Sequence, residues 1–376
     1  MNSNALPKGS VLLLDALKAK SGLLFEAPHE VITSANLADV PAALERLEQV
    51  RAKGRHLAGY FAYELGFAFE EKLRARWQST GEPLLWFGVY DAPQEVSLSD
   101  ALALLAEGVD EAAEISCPKF GMDRANYNAA FEQVQAHLAK GDVYQVNLTL
   151  RAAFSHEGSP ERQFLNLLKR QPVEYAALIK QNDLAILSLS PELFLERKGN
   201  LLRTKPMKGT ASRGRDLDED RRIAGELAAD PKQRAENTMI VDLMRNDLSR
   251  IAETGSVKVR ELCNVERYKS LHQMTSTIEA ELKPDIKLPG IIARLFPCGS
   301  ITGAPKLSAM QIANTLETGP RGVYTGSIGH IQPSGDFLFN VAIRTLVLND
   351  DGTGEVGTGS GVVYDSGAAQ NMMSAH

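Results

Sequence analysis

Residues 184–212 read LAILSLSPELFLERKGNLLRTKPMKGTAS, and this stretch decides the fold. Two apolar runs flank Lys198, Gly199 and Asn200, residue types suited to a tight turn, so the spacing predicts a hairpin with arms 184–197 and 201–207. SPELF (190–194) and KPMKGT (205–210) lie nearly equidistant from Gly199 and Asn200 and should meet at the open end. With a two-residue loop, Glu192 falls opposite Met207, and its carboxylate comes within roughly 5–8 Å of the Lys208 region. Pro206 removes a ladder donor and Gly209 frees the backbone after Lys208, so this end is expected to be irregular and to present side chains to a pocket.

A neutral lysine is a nucleophile and a protonated glutamic acid assists a leaving group, so this pair suits displacement of a poor leaving group such as hydroxide. A free lysine near pKa ~10.4 is mostly ammonium at neutral pH, and lowering it by about 3 units costs on the order of 4 kcal/mol. From spacing alone the same two residues also read as a surface salt bridge at a hairpin end. Both readings stand at this point.

Upstream of the hairpin, short strands are expected at 22–25, 30–33 and 56–62, with a helix at 40–53 that sets Leu44, Leu47 and Val50 on one face. Asp123 caps a second helix whose Tyr127, Phe131, Val134 and Leu138 form an apolar stripe ending at Gly141. A strand at 143–150 and a helix at 161–170 follow. Residues 91–122, acidic and alanine-rich in their middle, read as a connection between an N-terminal region (1–115) and a catalytic region (116–376). Downstream, Asp230 and Pro231 open a helix through Met239, Ile240, Leu243 and Leu248, and strands are expected at 326–331, 336–348 and 354–364. Helices and strands come in runs rather than in strict alternation, which favours an α+β fold with antiparallel sheet over a Rossmann or barrel fold.

The chain has 376 residues, 44% of them hydrophobic and 23% charged, enough for one large core or two modest ones. A net charge of −6 argues against nucleic acid as the main ligand. Cys117, Cys263 and Cys298 are too scattered for a zinc site or a disulfide framework, which fits a reducing cytoplasm. The apolar run at 11–14 is too short for a signal or membrane segment.

Seven segments recur in one order: SLSPELF (188–194), KPMKGT, RAENTMIVDLMRNDLSR (234–250), GSITGAPK (299–306), RGVYTGSIG (321–329), FNVAIRT (339–345) and GTGSGVVYDS (357–366). Together they resemble the chorismate-binding enzymes, the family of the anthranilate synthase large subunit, aminodeoxychorismate synthase component I, and the isochorismate and salicylate synthases. GYFAYELG (59–66) extends a weaker likeness into the N-terminal region. The resemblance implies two packed antiparallel sheets flanked by helices. Lys208 matches the lysine of aminodeoxychorismate synthases, where anthranilate synthases typically carry alanine. By this likeness Lys208 attacks C2 of chorismate, Glu192 protonates the departing C4 hydroxyl, and ammonia then adds at C4 and expels the lysine, on the way to para-aminobenzoate and folate. Gln145, in DVYQVNL (142–148), stands where water-adding relatives carry a basic lysine, which argues against water addition.

The same resemblance assigns substrate contacts to Gly209, Thr210, Thr302, Tyr324, Arg344, Gly359 and Gly361, and a Mg²⁺ ligand to Glu236. Arginine can grip a carboxylate in a bidentate pair and glycines let backbone donors approach. Taken alone, Arg344 reads equally as a sheet-surface ion pair, 357–361 as a turn, and Glu236 as an exposed residue favoured by the helix dipole. Gln273 departs from the family, whose members often have histidine there; the adjacent His272 is expected to face elsewhere. No glutaminase unit is visible, so a glutamine amidotransferase partner supplying ammonia is implied.

In the family, the strand ending in YDS leads into a helix with an EYxE-type segment that carries further metal ligands. Here 371–376 reads NMMSAH, which is what codons for EYDECA yield once a single G is deleted. The expectation is therefore a one-base deletion or a sequencing error after Gln370 that cuts that helix short, testable by resequencing. Anthranilate synthase component I activity on the same substrates, and an inactive truncated chorismate- or subunit-binding remnant, are the alternatives.

Overall fold

The apolar runs pair into two antiparallel sheets. The computed structural model describes residues 6–75, 77, 79–107 and 112–368. Among the described residues, eleven strands form one sheet and ten the other. The central path of the first sheet runs Gln145–Glu157, Thr353–Val362, Thr345–Asn349, Leu184–Ser190, Tyr175–Lys180, Val11–Asp15 and Ser21–Phe25. That of the second runs Met207–Ser212, Leu271–Glu281, Leu201–Lys205, Leu193–Lys198, Phe337–Asn340, Ser327–Ile331, His56–Phe61 and Leu85–Tyr90. Strands from before residue 115 are laced into both: Val11 pairs with Ile179, and Ser327 with Phe61.

Val11, Phe25, Tyr60, Trp86, Ile179, Ile186 and Ile328 pack between the sheets. Helices cover the outer faces because each has one apolar stripe to bury. Val40–Ala52, Pro231–Ser249 and Leu288–Leu295 contribute to a large cluster on the second sheet, in which Phe61 lies 4.7 Å from Phe87 and 5.2 Å from Phe339. Truncating such a ring costs about 3–5 kcal/mol. Arg124–Lys140 runs from its Asp123 cap to a left-handed Gly141, as its sequence requires.

The stretch read as a connection contains a helix, Leu98–Ala106, capped by Ser97 and burying Ala101 and Leu105. Alanine richness there is helix propensity rather than a linker signal. A further helix, Leu217–Ala229, and the strand pair Lys258–Arg267 and Leu271–Glu281 were not expected from the sequence.

The hairpin has the expected two-residue turn, with Lys198 opposite Leu201. Its long arm, however, is two strands in different sheets, Leu184–Ser190 and Leu193–Lys198, broken at Pro191 and Glu192. The strand expected at 336–348 likewise splits into Phe337–Asn340 and Thr345–Asn349. Both halves of each run are apolar, so periodicity alone does not reveal the change of sheet. Among the described residues, no helix is long and apolar enough to cross a membrane. The expected shortening after Gln370 lies outside the described residues.

Candidate active site

The two sheet-changing segments run side by side. Val341 N donates to Glu192 O at 3.0 Å and Leu189 N to Arg344 O at 3.0 Å. A third segment joins them, with Thr325 N donating to Ala342 O and Ala342 N to Gly326 O, both at 2.9 Å. Thr325 and Arg344 adopt φ of 60° and 52°. Left-handed backbone at non-glycine residues costs about 1–3 kcal/mol each and tends to be kept where function requires it.

Glu192 is 3% exposed. Burial raises its carboxyl from 4.5 to about 7, opposed by the Ser300 hydroxyl, the Lys208 charge and the Met207 N–H. Its Oε1 has no hydrogen-bond partner among the described residues. A carboxyl with pKa near neutrality can both give and take a proton. Cys298, whose Sγ is 3.2 Å from Ser300 Oγ, is driven up to about 12 by burial and by the charge of Glu192.

Lys208 is partly buried and sits in a β-bulge. Met207 pairs with Thr275 but Thr210 with Gln273, so two residues, Lys208 and Gly209, face Met274 alone. Gly209 has φ +89°, which a side chain would strain. Gly209 and Thr210 both contact the Gln273 carboxamide: Gln273 Nε2 donates to Gly209 O at 2.8 Å, and Thr210 Oγ1 donates to Gln273 Oε1 at 3.1 Å. His272 faces the other way, 2.9 Å from Asp220.

Glu236 lies three residues beyond Gln233, whose side chain approaches Gly209, so both stand on the same helix face. No group of three His, Cys, Asp or Glu side chains suited to a metal forms among the described residues. One carboxylate leaves an octahedral Mg²⁺ almost wholly to water and substrate. The described residues therefore do not by themselves fit a Mg²⁺ site.

Tyr324, Arg344 and Gly359 line one cavity of about 660 Å³ together with Phe120, Ile343 and Gly357. The Arg344 guanidinium lies near Tyr268, and desolvation holds it below the usual arginine range. Gly357 backs the Tyr324 ring so closely that a Cβ would sit 2.2 Å from it. Thr302 and Gly361 are placed differently. Thr302 is fully buried with its hydroxyl donating to Gly299 O at 3.1 Å, and Gly361 packs on the side chain of Gln145. Gln145 is 2% exposed, and its Nε2 has no hydrogen-bond partner among the described residues.

Sequence reasoning missed Ser300, two residues before Thr302 in a motif already singled out. It also missed Arg321, which is 3% exposed. The guanidinium bonds Ile301 O at 2.9 Å, Asn147 O at 2.7 Å and Glu317 at 2.7 Å, and lies 4.2 Å above the Tyr63 ring. It thus ties together the segments that carry Ser300, Gln145 and Tyr324. The buried Glu64 receives Arg321 N at 2.5 Å and Gly322 N at 3.0 Å, and burial raises its carboxyl to about 7. Glu317 caps the helix Lys306–Leu316 and Arg321 lies beyond Gly319 and Pro320, so no helical spacing announced the pair.

The pattern described as chorismate binding enzyme matches residues 10–372, and the chain belongs to that family. Within it, the chain is similar to aminodeoxychorismate synthase component 1 of Klebsiella aerogenes, 38% identical over 326 residues that cover 82% of this chain and 72% of that one. It is similar also to the protein of that name from Salmonella typhimurium, 39% identical over 325 residues, 82% of this chain and 71% of that one. The solved structure of anthranilate synthase component I from Streptococcus pneumoniae superposes with a TM-score of 0.80 at 26% identity, covering 96% of this chain and 92% of that one.

Proposed function

We propose that this chain aminates chorismate at C4, converting chorismate and ammonia to 4-amino-4-deoxychorismate and water. The observation that carries the reading is Lys208, held in a bulge within electrostatic reach of a buried carboxyl whose pKa is near 7. The Lys208 amine bonds to C2 as the two conjugated ring double bonds shift, C1=C2 to C1=C6 and C5=C6 to C4=C5, and the C4–O bond breaks, with Glu192 supplying the proton that makes the leaving group water. Ammonia then bonds to C4, both double bonds shift back, the C2–N bond to Lys208 breaks to release the neutral amine, and the C4 ammonium returns a proton to Glu192. Arg344 and Tyr324 face the cavity in which the substrate's carboxylates are held, and a glutamine amidotransferase subunit delivers the ammonia. The family likeness brings Mg²⁺ into this reading through Glu236 alone, and the described residues do not by themselves complete a site for it. No step above passes through the ion.

Incubation with chorismate, ammonium and Mg²⁺, followed by mass-spectrometric product identification, tests the reading. Anthranilate as the main product would overturn it in favour of the anthranilate synthase reaction. Lys208→Ala is expected to abolish the covalent route, and unchanged turnover in that variant would remove lysine as the nucleophile.

A further inference from the structure

We propose that Gln273 is a positioning residue whose carboxamide locks the bulge that aims Lys208. The proposal rests on the reading of Lys208 as the nucleophile. In a regular antiparallel pair every second residue exchanges its backbone N–H and carbonyl bonds with the residue opposite, and the extra residue at Lys208–Gly209 interrupts that alternation. Gln273 Nε2 bonds the Gly209 carbonyl at 2.8 Å, while Oε1 of the same carboxamide accepts from Thr210 Oγ1 at 3.1 Å. One planar group thus holds the two residues that follow Lys208.

Gln273 is well placed to impose that geometry because it is itself fixed. It is 6% exposed. On the opposite face, His272 is anchored 2.9 Å from Asp220, which Arg213 grips at 2.6 Å. On the remaining side the bulge is hemmed in, since a Cβ on Gly209 would lie 3.0 Å from Gln233 Oε1 and 3.3 Å from Met274 Cβ. The chemistry is specific to an amide. A carboxylate of the same shape still accepts from Thr210 but has no proton for the Gly209 carbonyl, and leucine offers neither bond.

The test compares Gln273→Glu, Gln273→Leu and Thr210→Val with the unaltered protein. The measurements are kcat and KM for chorismate, the urea midpoint, and the pH dependence of trinitrobenzenesulfonate labelling at Lys208, located by peptide mass spectrometry. Misplacing a reacting group by about 1 Å costs about a hundredfold in rate, so both Gln273 variants should lose about tenfold to a hundredfold in kcat, with KM little changed. The Lys208 labelling profile should shift with them, and Thr210→Val should show a smaller loss because the bond to Gly209 survives.

A folded Gln273→Leu protein with unaltered kcat and unaltered Lys208 labelling would overturn the proposal. So would a lower urea midpoint as the sole change, since that is a merely structural role. A shifted labelling profile alongside full turnover in Lys208→Ala would instead overturn the nucleophile and leave the clamp standing.

Discussion

Replacing Glu192 by glutamine separates the role of the carboxyl in chemistry from its cost to the fold. The rise from 4.5 to about 7 on burial corresponds to about 3 kcal/mol. The group's folded pKa lies above its unfolded one, so its neutral form adds no penalty below about pH 4.5. As pH rises towards 7 the unfolded chain releases this proton first, stability falls, and above pH 7 the whole cost is present. Glutamine keeps the shape and never ionises. Urea unfolding of the two proteins should therefore give nearly equal stabilities at about pH 4.5 and a glutamine variant more stable by about 3 kcal/mol at about pH 8. On the proposed mechanism the variant should at the same time lose about 10²–10⁴-fold in turnover, because the leaving hydroxyl would then have no proton donor. Glu64 and His330, which also titrate away from their ordinary values, are common to both proteins and cancel in the difference. A stability difference that stays constant across this pH range, or turnover within tenfold of the original, would refute the reasoning.

Arg344→Gly should relieve the left-handed backbone by about 1 kcal/mol while raising KM for chorismate about tenfold to a hundredfold, read from urea midpoints and initial rates. Loss of both stability and affinity would mean the φ of 52° is not strained. Arg321→Met leaves Glu317 buried without its partner and should cost about 3–5 kcal/mol in urea unfolding. Glu64→Gln removes one of the two acceptors facing Arg321 N and Gly322 N but also the ionisation cost that burial imposes on this carboxyl, so in urea unfolding the variant should gain stability relative to the original protein between about pH 4.5 and about pH 8.

Much of this was legible because local chemistry was unambiguous. The Asp123 cap and Gly141 stop bound a helix, and Gly199–Asn200 a turn, whatever surrounds them. The meeting of SPELF with KPMKGT followed from counting outward from that turn, but the expected pairing of Glu192 with Met207 did not, because the ladder shifts register between Glu196 and Leu193 and sets Leu193 opposite Lys205. The change of sheet at Pro191 was hidden because a strand buried on both faces loses its polar alternation, as the almost wholly buried Leu184–Ser190 shows. Gln273 was marked only as a departure from the family; that its amide grips the backbone depends on a one-residue register slip that no sequence period encodes. Arg321 was obscure for a similar reason, since its partners Asn147 and Ile301 are backbone carbonyls.

The seam where chain passes between the sheets also bears on how the enzyme comes into being. Gln145, Glu192, Lys208, Tyr324 and Arg344 come from segments far apart in the chain, and neither sheet holds them alone. Closing such long loops and pairing distant strands is slow. On dilution from urea, burial of Trp86 between the sheets should precede the return of turnover. In the interval there is a chain with its core formed and no catalyst yet assembled.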